Sequence, residues 1–318
     1  MWRPERSLHG PDQATIRDIE PLNRLFTEAF TDRYARDGLT GVRVPPLSAA
    51  VWRYAIEDAG AGALLWRDAD GMLVAFNMVH RAGHEGWMGP IAVRPDRQGG
   101  GVGRAVVQAG IDWLKGQGAV VIGLETMPRT VDNIGFYSRL GFVPQYLTIT
   151  MVRDAVRQPV RDTERLSRGN TSALVKECAA LARAVAPGAD FTSQVLLTLA
   201  LDAGDATLVR QGGELAAFAL WHSLPLAAGR PRDELRVLKL VARDGRGLEA
   251  LLDALQADAV GERLRRVAIR CQSAYGDAYL QLVARGFRVH WTDLRMTLPT
   301  HRESPPPGAG VVLSNWEI

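Results

Sequence analysis

Two cysteines, Cys178 and Cys271, are too few in 318 residues for a disulfide framework. Cys178 falls on the apolar stripe of an expected helix and Cys271 ends an expected strand. Both therefore read as small buried hydrophobes rather than a bridge or a metal pair. No apolar run approaches the ~20 residues that span a bilayer, and the opening Met1-Trp2-Arg3-Pro4-Glu5-Arg6 lacks an apolar signal core. A cytoplasmic chain without membrane contact is the expectation. Neither sign of charge dominates, since 38 Lys and Arg against 35 Asp and Glu leave a formal +3. The densest basic patch, Arg263, Arg265, Arg266 and Arg270, includes alternating positions that suit a solvated face. No nucleic-acid-binding module accompanies it, so nucleic acid is not an expected partner. What is present is ordinary globular composition, 47% hydrophobic and 23% charged, in a chain long enough for two domains of about 150 residues.

The chain repeats itself. Residues 71–80 read Gly-Met-Leu-Val-Ala-Phe-Asn-Met-Val-His and residues 213–222 read Gly-Glu-Leu-Ala-Ala-Phe-Ala-Leu-Trp-His, agreeing at five positions. Upstream, Asp58-Ala59-Gly60 is echoed by Asp202-Ala203-Gly204; downstream, Leu140-Gly141-Phe142 is echoed by Arg285-Gly286-Phe287. Helical spacing supports the same division. Leu22, Leu25, Phe26 and Ala29 follow Pro21, while Leu174, Cys178 and Leu181 follow the plausible caps Asn170 and Thr171. Val107, Ile111 and Leu114 mark a third helix, with Leu248, Leu251, Leu252 and Leu255 as its counterpart. Strand-length apolar runs lie at Ala63–Arg67, Leu73–Val79, Trp87–Val93, Val120–Glu125 and Tyr146–Met151. The expected order is strand, helix, helix, three strands, helix, strand, helix, strand. That pattern predicts a mixed α/β fold, its helices flanking a central sheet, in two copies. The expected units are residues 1–155, 156–300, and a Pro-rich linker with a strand-like tail over 301–318, the first boundary falling near Arg153–Arg161.

The most informative stretch is Ile91-Ala92-Val93-Arg94-Pro95-Asp96-Arg97-Gln98-Gly99-Gly100-Gly101-Val102-Gly103-Arg104. A strand ends at Val93, a glycine-rich turn follows, and a helix begins near Gly103. Glycines let backbone N–H groups converge on an anion, and the helix start adds partial positive charge. Arg97 and Arg104 flank the turn and are placed to add charge-assisted contacts. The dinucleotide fingerprint fails here, because its last glycine falls on Arg104 or Val106, and no Gly-Lys-Ser/Thr completes a nucleotide-triphosphate loop.

What fits is Gln98-x-x-Gly101-x-Gly103, and here the chain resembles the GNAT acetyltransferases, whose pyrophosphate loop reads Gln/Arg-x-x-Gly-x-Gly/Ala after a strand like Ile91–Pro95. The resemblance covers residues 14–152 directly and the second half through its repeat. It implies that acetyl-CoA is the co-substrate, bound by Ile91, Ala92, Val93 and the loop residues Arg97, Gln98, Gly99, Gly100, Gly101, Val102, Gly103 and Arg104. It also implies that the strand through Ile91 and Val93 splays from its neighbour and bonds the pantetheine arm. Within Asn133-Ile134-Gly135-Phe136-Tyr137, Asn133 either touches coenzyme A or only caps its helix. Tyr137, five residues before Phe142, matches the family's acid that protonates the departing thiolate.

Acetyl transfer also needs a base for the amine and donors for the tetrahedral oxyanion. Glu125 is the first candidate base, Glu85 and His84 come next, and a water chain is an equal alternative. His80 and His84 lack a third ligand and His80 recurs as His222, so no metal is expected. The second copy lacks the Gln-x-x-Gly-x-Gly loop at Ala242–Leu248 and has Leu282 where the first has Tyr137, so it reads as degenerate. Tandem GNAT proteins with one working copy have a similar arrangement. The implied reaction is acetyl transfer to a primary amine, of a small molecule first and of a peptide or protein as the variant, by a monomer or homodimer. The competing reading is a non-catalytic acetyl-CoA sensor. Loops 35–46 and 224–232 are expected to shape the acceptor pocket, and the tail Val311–Ile318, with Val312, Trp316 and Ile318 on one side, is expected to add a strand or fasten the seam.

Overall fold

Alternating and continuous apolar runs in the first half give β1 (His9–Gln13), β2 (Ala63–Arg67), β3 (Leu73–Ala82), β4 (Glu85–Val93), β5 (Val121–Thr126) and β6 (Val143–Asp154). Its helices are α1 (Ile19–Arg36), α2 (Ala49–Ala59), α3 (Val102–Gly116) and α4 (Val131–Arg139). The second half repeats the order with β7 (Thr163–Arg165), α5 (Thr171–Val185), α6 (Thr192–Ala200), β8 (Gly204–Gln211), β9 (Glu214–His222), β10 (Glu234–Ala242), α7 (Gly245–Gly261), β11 (Arg266–Gln272), α8 (Gly276–Ala284) and β12 (Arg288–Thr297), followed by β13 (Val311–Ser314). These elements come from a computed structural model that describes residues 8–160 and 162–316. Side-chain caps start several helices: Ser48 accepts from the Val51 N–H, and Asn170 from the Ala173 N–H, as its position predicts. The expected apolar stripes are buried, among them Leu22, Leu25, Phe26 and Ala29 on α1 and Leu248, Leu251, Leu252 and Leu255 on α7. Both cysteines are buried and free. No helix of the described residues is long and apolar enough to cross a membrane.

Among the described residues one mixed sheet runs β1-β2-β3-β4-β5-β12-β6-β11-β10-β9-β8-β7. Its centre is an exchange. β12, the last strand of the second half's repeat, pairs with β5 (Leu294↔Thr126 to Thr297↔Gly123). β6, which ends the first half, pairs with β11 (Thr148↔Gln272 to Asp154↔Arg266). Helices α1 and α2 cover one end of one face and α5 and α6 the other; α2 meets α6 where the Tyr54 hydroxyl reaches the Gln194 carbonyl and Thr198. The two loops expected to shape an acceptor pocket also meet. Leu47 bridges Ala227, and the Ser48 and Ala228 N–H groups donate to the Leu226 and Pro46 carbonyls.

The tail forms β13 and runs antiparallel to the end of β10, from Ala242↔Val311 to Lys239↔Ser314. Val312 joins the core of α5 and α6, with Trp316 packed beside it, while Ile318 lies outside the described residues. Lys239 is fully buried beneath the tail: its ammonium donates to Ser314 Oγ (3.0 Å) and lies 3.5 Å from the Trp316 ring centre. Burying each Val or Leu side chain contributes about 1.5–3 kcal/mol, and Val311, Val312 and Leu313 are all buried. Deleting residues 311–318 is therefore expected to lower the melting temperature by roughly 5–10 °C. An unchanged melt, followed by calorimetry, counts against this fastening role.

Candidate active site

Strand β4 accompanies β5 in parallel for only four residue pairs, Glu85↔Val121 to Met88↔Leu124. Beyond them come Gly89 and Pro90. Proline has no N–H to give to a ladder, and here the β3–β4 register also shifts, between Asn77 and Val79. The carboxyl end of β4, Ile91–Val93, continues along β3 and leaves β5. Ile91 and Val93 are half-buried and pack toward the α3–α4 core, whereas Ala92 is buried on the opposite face with α1 and α2. Peptide groups of β4 are thereby left facing a cleft, as the resemblance implied for a splayed strand.

The glycine turn stands at the top of that cleft. Gly99, Gly100 and Gly101 are exposed, and a Cβ on Gly99 or Gly101 would meet nothing within 4 Å. Gly101 precedes α3 in a left-handed conformation (φ 87°) and has no side-chain cap, so the first N–H groups of α3 face solvent. Val102 packs against the adjoining core. Gly103 is a close approach: a Cβ there would lie 3.2 Å from the Phe136 ring, so the turn is seated directly on α4. Gln98 braces the loop, donating to the Val93 carbonyl (3.0 Å) and accepting from Arg36 at the end of α1 (3.2 Å). Arg97 does not flank an open loop; it is buried with its guanidinium 3.8 Å from Asp68. Arg104 is exposed and makes no ion pair among the described residues.

On α4, Tyr137 is 8% exposed, between Phe136 (5.2 Å between ring centres) and Phe142 (6.2 Å). It joins the core that includes Met88 and Leu124, the last pair before the strands part. Burial pushes its phenol up to about 12, so Tyr137 holds its proton throughout the neutral range. Asn133 is half-buried in the first turn of α4, two residues beyond its start. The helix entry is tied to α1: Thr130 and Arg129 donate to the side chain and carbonyl of Asp37, each at 2.7 Å.

Glu125, the residue after the last β4–β5 pair, belongs to a buried polar cluster assembled by the strand exchange. Glu125 of β5 accepts from Thr148 of β6 (2.5 Å), from Arg270 of β11 and from Arg295 of β12 (2.9 Å). Burial by itself raises a carboxyl, but the Arg270 and Arg295 charges overcome it and bring Glu125 down to about 2. A carboxylate held there is a feeble base near neutrality. Arg270 also donates to Asp293 of β12 (2.9 Å), whose carboxyl is raised by burial against the pull of that guanidinium. Tyr34 of α1 is raised by burial and by the same Asp293. Glu85 sits at the other, closed end of the β4–β5 ladder, opposite Val121 and remote from the glycine turn. His84 packs its ring on Gly188 of the second half. His80 lies 2.8 Å from Asp58, and no cluster able to hold a metal occurs among the described residues. Sequence reasoning set Arg270 on a solvated basic face, whereas it is part-buried between Glu125 and Asp293, and it missed the site roles of Arg270, Arg295 and Asp293. The first two stand 145 and 170 positions from Glu125, and only an exchange of strands brings them to it.

The corresponding place in the second copy is closed three ways. β10 leaves β11 after Val237↔Ile269, as β4 leaves β5, but β13 pairs along the vacated edge of β10. The start of α7 is capped by its own Asp244, whose carboxylate accepts from the Gly247 N–H at 2.8 Å and sets a negative charge where an anion would bind. The Gln281 side chain lies against Gly245, where a Cβ would come within 2.8 Å of its amide. Titration of the chain with acetyl-CoA is expected to give one site per chain. Two sites of similar affinity would mean that the tail and Asp244 do not exclude the cofactor.

Residues 22–142 match the model of the acetyltransferase (GNAT) family. Mycothiol acetyltransferases are similar in sequence. That of Streptomyces coelicolor is 36% identical over 78 residues, 24% of this chain and 25% of the relative. That of Actinosynnema mirum is 36% identical over 158 residues, 45% of this chain and 51% of the relative. The chain thus spans a quarter to about half of the length of these curated relatives. Among solved structures, a tandem GNAT protein from the clavulanic acid biosynthesis pathway superposes with a TM-score of 0.59 at 14% identity, covering 94% of this chain and all of that one.

Proposed function

We propose that this chain, whose residues 22–142 match the GNAT family, is an N-acetyltransferase that moves the acetyl group of acetyl-CoA to a primary amine of a small molecule. The observation that carries this reading is the contrast between the copies: the first has an uncapped, open glycine turn beside a splayed strand and a buried tyrosine, and the second has none of these free. The space over Gly99 and Gly101, the free amides of α3 and the unpaired Arg104 suit a pyrophosphate. The edge of β4 through Ile91 and Val93 suits the amides of the pantetheine arm, and Asn133 lies on the neighbouring helix. The cofactor supplies an activated thioester.

This chain's residues then hold the groups and the protons. A β4 N–H serves as oxyanion donor. Tyr137, kept protonated by burial, gives its proton to the leaving sulfur. In our reading Glu125 is not the base; its two arginine partners make it an anchor that fixes Arg270 and Arg295. Asp293 is the second carboxyl held by Arg270, and its raised carboxyl suits removal of the amine's proton, directly or through water. A small-molecule acceptor is favoured because the similar mycothiol acetyltransferases point to that class, and the loops that meet at Leu47 and Ala227 would form a wall of its pocket. Incubating the protein with acetyl-CoA and a panel of primary amines, while following thiol release, tests the proposal. Amine-dependent release supports it, and its absence across amino sugars, polyamines, amino acids and peptides refutes it.

A further inference from the structure

At the closed end of the β4–β5 ladder, away from the glycine turn, the seam between the copies contains a cavity of about 120 Å³. Glu85, Gln272, Tyr275 and Glu303 line it, and Pro305–Pro307 form one wall. Three acceptor oxygens on this lining are buried without a hydrogen-bond partner: Glu85 Oε2, Gln272 Oε1 and Glu303 Oε2. Gln272 is only 2% exposed, and its amide nitrogen is committed to Asn315 Oδ1 at 2.8 Å. Buried polar atoms are seldom left unpaired, so three in one small space point to a missing donor.

The two buried cationic side chains nearby are already engaged. Arg295 gives Nε to Glu125, Nη1 to Glu303 Oε1 and Nη2 to the Ser314 carbonyl. Lys239 is held by Ser314 and Trp316. The charged groups here and in the adjoining cluster are Glu85, Glu125, Asp293 and Glu303 against Lys239, Arg270 and Arg295; burial brings the Lys239 ammonium down to about 8, so the balance turns negative as the pH rises. Burial pushes Glu303 up to about 7; Glu85 and Glu125 add to the rise and Arg295 opposes it. His84 also borders the cavity, and burial raises the Tyr275 phenol.

We propose that this cavity binds a small primary ammonium, whose three N–H groups meet Glu85 Oε2, Gln272 Oε1 and Glu303 Oε2. No set of acidic, histidine or cysteine side chains fit for a metal ion occurs among the described residues, and an ammonium matches a lining made of acceptors. The site is distinct from the transfer cleft, because β4 and β5 are still paired at this level. Arg295 nevertheless joins the two, bonding Glu303 on one side and Glu125 on the other.

The test is calorimetric titration of the full chain with methylammonium chloride in the absence of acetyl-CoA, which keeps it independent of the proposed transfer reaction. Saturable binding of one equivalent is expected at pH 8.5, weakening toward pH 6 as Glu303 takes up a proton. Tetramethylammonium, which has no N–H, is expected not to bind. Glu303→Gln and Glu85→Gln are each expected to weaken binding at least about 10-fold while circular dichroism and the thermal melt, measured alongside, show the variants folded. Non-saturable heats, equal binding of tetramethylammonium, or unchanged affinity in both folded variants would overturn the proposal and leave the cavity to water.

Discussion

Tyr137→Phe is expected to keep the fold and the acetyl-CoA affinity of the chain while lowering turnover by about 10²–10⁴-fold, the usual cost of losing one general acid. The ring of Tyr137 is an integral part of the α3–α4 core, and phenylalanine fills the same volume, so the change removes the hydroxyl and little else. The phenol is suited to give a proton rather than take one, since burial carries it to about 12. The loss should therefore persist across the neutral range and should not be rescued by raising the pH. Steady-state kinetics with thiol detection read the effect, and calorimetry checks that the cofactor still binds. Wild-type turnover in a folded variant would reduce Tyr137 to a packing residue.

Gly101→Val is expected to weaken acetyl-CoA binding at least about 100-fold, close to 2.7 kcal/mol. Two effects act together. A β-branched residue at φ 87° is strained, at a cost of about 1–3 kcal/mol if the turn is held in place. Its side chain would also project into the open space above the turn, where nothing of the protein lies within 4 Å and where the proposed pyrophosphate would sit. Because that space is solvent in the free protein, the fold should tolerate the change far better than the ligand does. Comparing melting temperature with calorimetric affinity separates these outcomes. Unchanged affinity in a folded Gly101→Val protein would remove the pyrophosphate from this loop.

The sequence by itself determined the order of elements in each copy and the place of the glycine turn. Apolar period and glycine position are local properties, and the expected Ala63–Arg67 strand has the same limits as β2. It also located Tyr137 and Asn133 on one short helix, and the tail as a strand, since Val311–Ser314 is a short apolar run behind a Pro- and Gly-rich stretch. Tertiary structure decided the rest. Arg97 reads as a cation flanking an anion site, yet the turn buries it against Asp68, because one residue of rotation in a short 3₁₀ turn reverses a side chain. Glu125 reads as a base, yet β6, β11 and β12 arrive from far along the chain to surround it with Thr148, Arg270 and Arg295. Which strands become neighbours in a sheet depends on long-range pairing that no local pattern encodes. That pairing set the tail along β10 and brought Arg270 and Arg295 to Glu125 from 145 and 170 positions away.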